Sequence, residues 1–113
     1  MTPDGFRKIA LSLTGVIESA HMGHPDFRAN GRIFATLGSP DATMGMVSLT
    51  PDEQSIVVDG APHIFRPVKG GWGLKGATNV VLAKADKAAV LSALTLAWKG
   101  VMAKKPARPR KSS

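Results

Sequence analysis

The chain has no cysteine and no tyrosine, and only two tryptophans and four phenylalanines among its 113 residues. Without cysteine there can be no disulfide, no thiolate metal site and no thiol nucleophile. Sparse aromatics limit any stacking surface to a few identifiable positions. No apolar run approaches the length that spans a bilayer, and the first residues, Met1 to Lys8, lack a basic segment followed by an apolar stretch. The expectation is a cytoplasmic protein without a membrane partner. Carboxylates are also scarce: eight, against fifteen lysines and arginines.

The formal charge of +7 is unevenly spread. Five of the fifteen basic residues, Lys104, Lys105, Arg108, Arg110 and Lys111, lie beyond residue 102, where there is no acid. That leaves ten basic against eight acidic side chains in residues 1–102, a nearly balanced domain. The Lys, Pro, Arg and Ser composition of 103–113 cannot bury enough apolar surface to order itself, so a disordered basic tail is expected. Residues 1–102 suffice for one domain with one core.

Residues 24–37 are the centre of the pattern. Asn30-Gly31 is the dipeptide best suited to a two-residue type I′ hairpin, whose central residues both need φ > 0. Such a turn pairs Ala29 with Arg32, Arg28 with Ile33 and Phe27 with Phe34. Strict alternation then puts Phe27, Ala29, Arg32, Phe34 and Thr36 on one side, and Arg28, Ile33, Ala35 and Leu37 on the other. Each side mixes apolar bulk with one arginine.

Around this hairpin, Thr2-Pro3-Asp4 opens a helix whose Phe6, Ile9, Ala10 and Leu13 recur on one face. A short strand is expected from Val16 to Met22, and another from Met44 to Leu49 beside 32–37. Thr50-Pro51-Asp52-Glu53 has the form of a capping box. Ile64 to Val68 reads as an edge strand, because Pro67 cannot donate to a ladder. Thr78 to Ala83 follows a glycine-rich turn, and Asp86 caps a helix carrying Val90, Leu91, Leu94, Trp98 and Val101. The order predicts an α+β two-layer sandwich, an antiparallel sheet with helices packed on one face.

Several residues in this order resemble the MmcQ/YjbR family of small bacterial proteins. They are Gly15 and Glu18, His24-Pro25-Asp26-Phe27-Arg28, and Gly31-Arg32-Ile33-Phe34-Ala35. Trp72-Gly73…Gly76 and Leu94…Ala97-Trp98 follow at matching places. The resemblance implies a fold similar to bacterial frataxin (CyaY-like) and a DNA-binding label, with no catalytic residues to carry over.

Gly71-Trp72-Gly73-Leu74-Lys75-Gly76 also matches a dinucleotide fingerprint, but that motif needs a helix immediately after it. Here a β-favouring run follows, so the glycines read as a tight loop. Trp72 either folds back on the core or stands at the tip, where Lys69 and Lys75 would make it a nucleic-acid contact. His21, His24 and His63 lack the spacing of a metal site, and no serine sits in a nucleophile elbow, so no metal, cofactor or catalytic residue is expected. Asp26 is expected to pair with Arg28.

Three functions compete at this stage. The first is a non-catalytic, monomeric module binding nucleic acid, DNA above all. Its contacts would be Arg28, Arg32, Lys69, Trp72, Lys75 and the tail residues Lys104, Lys105, Arg108, Arg110 and Lys111. The second is a small-ligand pocket around His24, Asp26 and Trp72. The third is a protein-interaction adaptor.

Overall fold

The computed structural model describes residues 1–38 and 41–104. Four tail residues named above, Lys105, Arg108, Arg110 and Lys111, therefore lie outside it, as does most of the tail. The elements are α1 (Pro3–Ser12), β1 (Ile17–His21), β2 (His24–Ala29), β3 (Arg32–Leu37) and β4 (Met44–Ser48). They continue with α2 (Pro51–Gly60), β5 (Phe65–Pro67), the short α3 (Gly71–Leu74), β6 (Ala77–Val81), a single 3-10 turn (Leu82–Lys84) and α4 (Lys87–Met102). The fold is α+β. One six-stranded antiparallel sheet runs in the order β1-β2-β3-β4-β6-β5, which leaves β1 and the Pro67-bearing β5 at the edges.

Local chemistry accounts for the element boundaries. Thr2 accepts from the Gly5 amide at the start of α1. Thr50 and Glu53 exchange hydrogen bonds with each other's backbone amides at α2, satisfying donors that the first turn leaves unpaired. Asp86 accepts from Ala89 N at α4. Asn30 and Gly31 take φ values of 55° and 73°, as a type I′ turn requires.

Helices α1 and α4 pack together across one face of the sheet. Phe6, Phe27, Phe34, Val47, Val80 and Leu94 are fully enclosed between the layers. The Phe6 and Phe27 rings meet in a tilted arrangement, with centroids 6.1 Å apart. Gly45 makes room for this, because a methyl group there would come within 3.0 Å of Phe6. Two polar ties close the ends: Trp98 Nε1 donates to Thr14 O at 2.9 Å, and Asn30 Nδ2 to Val101 O at 2.9 Å.

The central hairpin departs from simple alternation. Arg28 pairs with Ile33 and Ala29 with Arg32, but Phe27 pairs with Ala35, not with Phe34. Phe34 is the extra residue of a β-bulge on β3. Beyond it the faces exchange. Ala35 and Leu37 join Phe27 and Phe34 in the core, while Thr36 moves to the uncovered side, paired with Asp26 and Met46. The expected placement of Thr36, Ala35 and Leu37 is thereby corrected. Burial drives the exchange, since it moves Ala35 and Leu37 out of water.

The glycine-rich stretch is also more structured than a loop. Gly71–Leu74 forms one helical turn, and β6 follows Gly76, so no helix is there to meet a pyrophosphate. Two glycines are fixed by close approach of backbone. A methyl group on Gly73 would fall 1.6 Å from Val68 O, and one on Gly76, at φ +110°, 1.9 Å from Leu49 O.

Candidate binding groove on the open sheet face

Among the described residues no helix packs over the groove on the second face of the sheet. Register places Ser19, Asp26, Thr36, Met46, Asn79 and Arg66 in one row across all six strands on that side. Ile33, Thr36, Met46, Ser48, Ala77 and Asn79 form the floor of a groove of about 910 Å³. One wall is the β1–β2 turn, with His21, Met22 and His24. The other is the stretch after β5, with Val68, Lys69 and Trp72. From β2 to β5 the sheet spans four strand intervals, about 19 Å at ordinary strand spacing.

The wall at the β1–β2 turn rests on a second two-residue hairpin. Met22 and Gly23 take φ values of 52° and 81°, and His21 pairs directly with His24. Paired residues share a face, so both imidazoles enter the groove. Met22 at the tip is 91% exposed. This turn was legible in principle: a residue-Gly pair flanked by two histidines puts both on one side.

Beneath the histidines lies Asp26, with no exposed surface although it belongs to the open face. Arg28 clamps it through two hydrogen bonds, Nε to Oδ1 at 2.7 Å and Nη2 to Oδ2 at 3.0 Å. His21 Nδ1 lies 2.8 Å from Asp26 Oδ2. The Arg28 guanidinium is the main cause that holds the Asp26 carboxyl below the usual carboxylate range. Burial opposes it, and the His21 hydrogen bond adds to it. A buried charge of this kind is tolerated only when paired and hydrogen-bonded. Asp26 therefore belongs to the support of the groove and not to its lining.

At the opposite wall Trp72 is 73% exposed, standing away from the core. Val68 N donates to Ala77 O, and Gln54 Nε2 donates to both Gly73 O and Ala77 O, so the turn bearing Trp72 is held from two sides. Lys75 Nζ sits 5.7 Å from the indole centroid, within cation–π range. Among the described residues no carboxylate lines the groove; the ionisable lining residues among them are His21, His24 and Lys69.

The expected contact residues thus divide. Lys69, Trp72 and Lys75 come together at one wall, and His24 lies at the other with His21. Arg28 is on the same face but engaged by Asp26. Arg32 pairs with Ala29, whose side chain belongs to the core, and so stands on the helix-covered side. Lys104 follows α4, where its carbonyl accepts from Asn30 Nδ2. Among the described residues no group of three or more histidines and carboxylates could hold a metal ion, and no helix is long and apolar enough to cross a membrane.

Comparison with known proteins bears on the fold and the family. The family model described as YjbR matches residues 11–99. The crystal structure of the Deinococcus radiodurans protein DR2400, described with the family-model domain DUF419, superposes with a TM-score of 0.74. The two chains share 15% identity, over 91% of this chain and 80% of that one. No protein with a curated description matches.

Proposed function

The chain belongs to the YjbR family, and on that premise we propose that it is a non-catalytic nucleic-acid-binding module that takes a single-stranded segment across its open sheet face. The observation that carries this reading is Trp72, exposed at the lip of an apolar groove with Lys75 over its ring and Lys69 beside it. Successive bases stack on such aromatic platforms at about 1–3 kcal/mol each, while lysines meet the phosphates. A duplex keeps its bases stacked inside and offers none to the indole, so a single strand is the better fit.

In this reading Arg28 acts indirectly, by neutralising the carboxylate under the groove, and Arg32, on the helix-covered side, does not meet the strand. Lys104, Lys105, Arg108, Arg110 and Lys111 serve as a tether that follows phosphates without regard to sequence. The test is a salt titration of a labelled oligothymidine and a duplex of equal length. The single strand should bind more tightly, with log affinity falling linearly in log salt. No measurable binding of either at about 50 mM salt overturns the reading.

A second reading, a pocket for a flat organic molecule, draws on the groove's volume and apolar floor, which fall within the usual range of small-ligand sites. Under it, a compound saturating the groove would raise the melting temperature, and the protein would not bind oligonucleotides.

A further inference from the structure

We propose that His21 and His24 form an oxyanion site at one end of the groove, binding a phosphate or carboxylate group of whatever lies along the floor. The inference rests on the open-face reading above and assigns its second anionic contact, opposite Lys69 and Trp72.

Three observations combine. The two histidines are directly opposite one another across the β1–β2 turn, on the face that lines the groove. His21 Nδ1 is taken up by the buried Asp26 carboxylate, which leaves Nε2 as the nitrogen available to a ligand. His24 lies against the end of β3: a methyl group on Gly38 would come within 3.2 Å of His24 Nδ1. Each ring is thus placed by the next strand, His21 by Asp26 on β2 and His24 by the chain after β3, and both stand at the same end of the groove.

The surrounding charges favour an anion over a cation. Asp26 and Arg28, both on β2, compensate one another through the two hydrogen bonds already described. Ser19 on β1, Thr36 on β3, Met46 on β4 and Asn79 on β6 bring no charge to this face, and the far wall brings Lys69. Among the described residues a metal ion would find two imidazoles and no third histidine or carboxylate to complete a set, Asp26 being held by Arg28. A protonated imidazole pair, by contrast, offers two charge-assisted donors to one oxyanion.

The experiment is a histidine side-chain nitrogen NMR titration of the full chain with inorganic phosphate, acetate and oligothymidine, each at about pH 6 and about pH 8. Ligand-induced shifts are expected at His21 and His24, with His63 as the unresponsive reference, and they should be larger at the lower pH. Oligothymidine affinity should rise about tenfold from the higher pH to the lower, and His21→Gln or His24→Gln should abolish that gain. Response to phosphate or acetate alone assigns the site to small oxyanions, and response to the oligonucleotide alone assigns it to a strand's backbone.

Affinity that is independent of pH and unchanged in both His21→Gln and His24→Gln overturns the oxyanion site while leaving single-strand binding intact. Phosphate shifts without oligonucleotide binding overturn the nucleic-acid reading and leave the site standing. Silence of both histidines toward all three ligands overturns the proposal.

Discussion

The covered and open faces of the sheet are made from neighbouring residues of the same strands, yet they follow different rules. On the covered face Phe27, Phe34, Val47 and Val80 are wholly enclosed, and volume decides what fits. On the open face apolar residues such as Ile33 and Met46 alternate with Thr36 and Asn79, and a buried carboxylate is retained beneath two histidines. The first face stores stability. The second keeps an internal ion pair although apolar residues of similar volume would often be no less stable there. The binding role proposed for the open face would account for that contrast.

The sharpest way to break this contrast is on the covered side. Phe27→Ala should cost about 3–5 kcal/mol in urea unfolding, because the ring is enclosed and packed in a tilted arrangement against Phe6. An unfolding free energy within about 1 kcal/mol of the parent would mean that the core is not organised around this pair.

Asp26→Asn comes next and reads the open face by pH. The folded-state carboxyl is held below its ordinary value, chiefly by Arg28. Its stabilisation is therefore complete above the unfolded-state value, about 3.9, and disappears as pH falls through the lower folded value. The variant should be less stable than the parent at neutral pH, with the gap closing in acid. A gap that is constant across that range would remove the ion pair as its cause.

Trp72→Ala should leave stability within about 0.5 kcal/mol, since the indole is largely exposed, while weakening single-strand binding by about 1–3 kcal/mol. Equal losses in both would place Trp72 in the fold and not at the lip. The smallest effect is electrostatic. Lys69→Gln and Lys75→Gln should each lower the slope of log affinity against log salt by about 0.7 for a single strand. Unchanged slopes would separate the two lysines from any phosphate.

Much of the architecture is legible in the residues. Asn30-Gly31, the capping box at Thr50 and Glu53, and the apolar stripe on α4 are local signals, and each yields its element. The pairing of Asp26 with Arg28 is legible for the same reason, as two residues on one face of a strand. What escapes is set by tertiary contact. Trp72 reads more readily as core than as tip, and the turn that carries it outward is held by Gln54 and Val68. His21 and His24 read as an isolated pair until the Met22-Gly23 turn sets them face to face. Arg28 and Arg32 are set on opposite faces by the Asn30-Gly31 turn, as the residues imply, but which of those faces the helices cover is decided by tertiary packing.

The bulge at Phe34 changes the parity of its strand. On β3 the core side takes even-numbered positions up to Phe34 and odd-numbered ones from Ala35 onward, so a single added residue lets one strand serve two bookkeeping schemes. Deleting Phe34 would restore uniform alternation while keeping the Ile33–Arg28, Ala35–Phe27 and Thr36–Asp26 pairs, so Leu37 would stay in the core and the loss would be one enclosed ring. Flattening the bulge with Phe34 retained, so that Phe34 pairs with Phe27, would instead turn Leu37 toward water and draw Thr36 out of the groove floor. Any realignment or redesign of this strand therefore has to count that residue as a spacer, because it sets which residues of β3 face the open side.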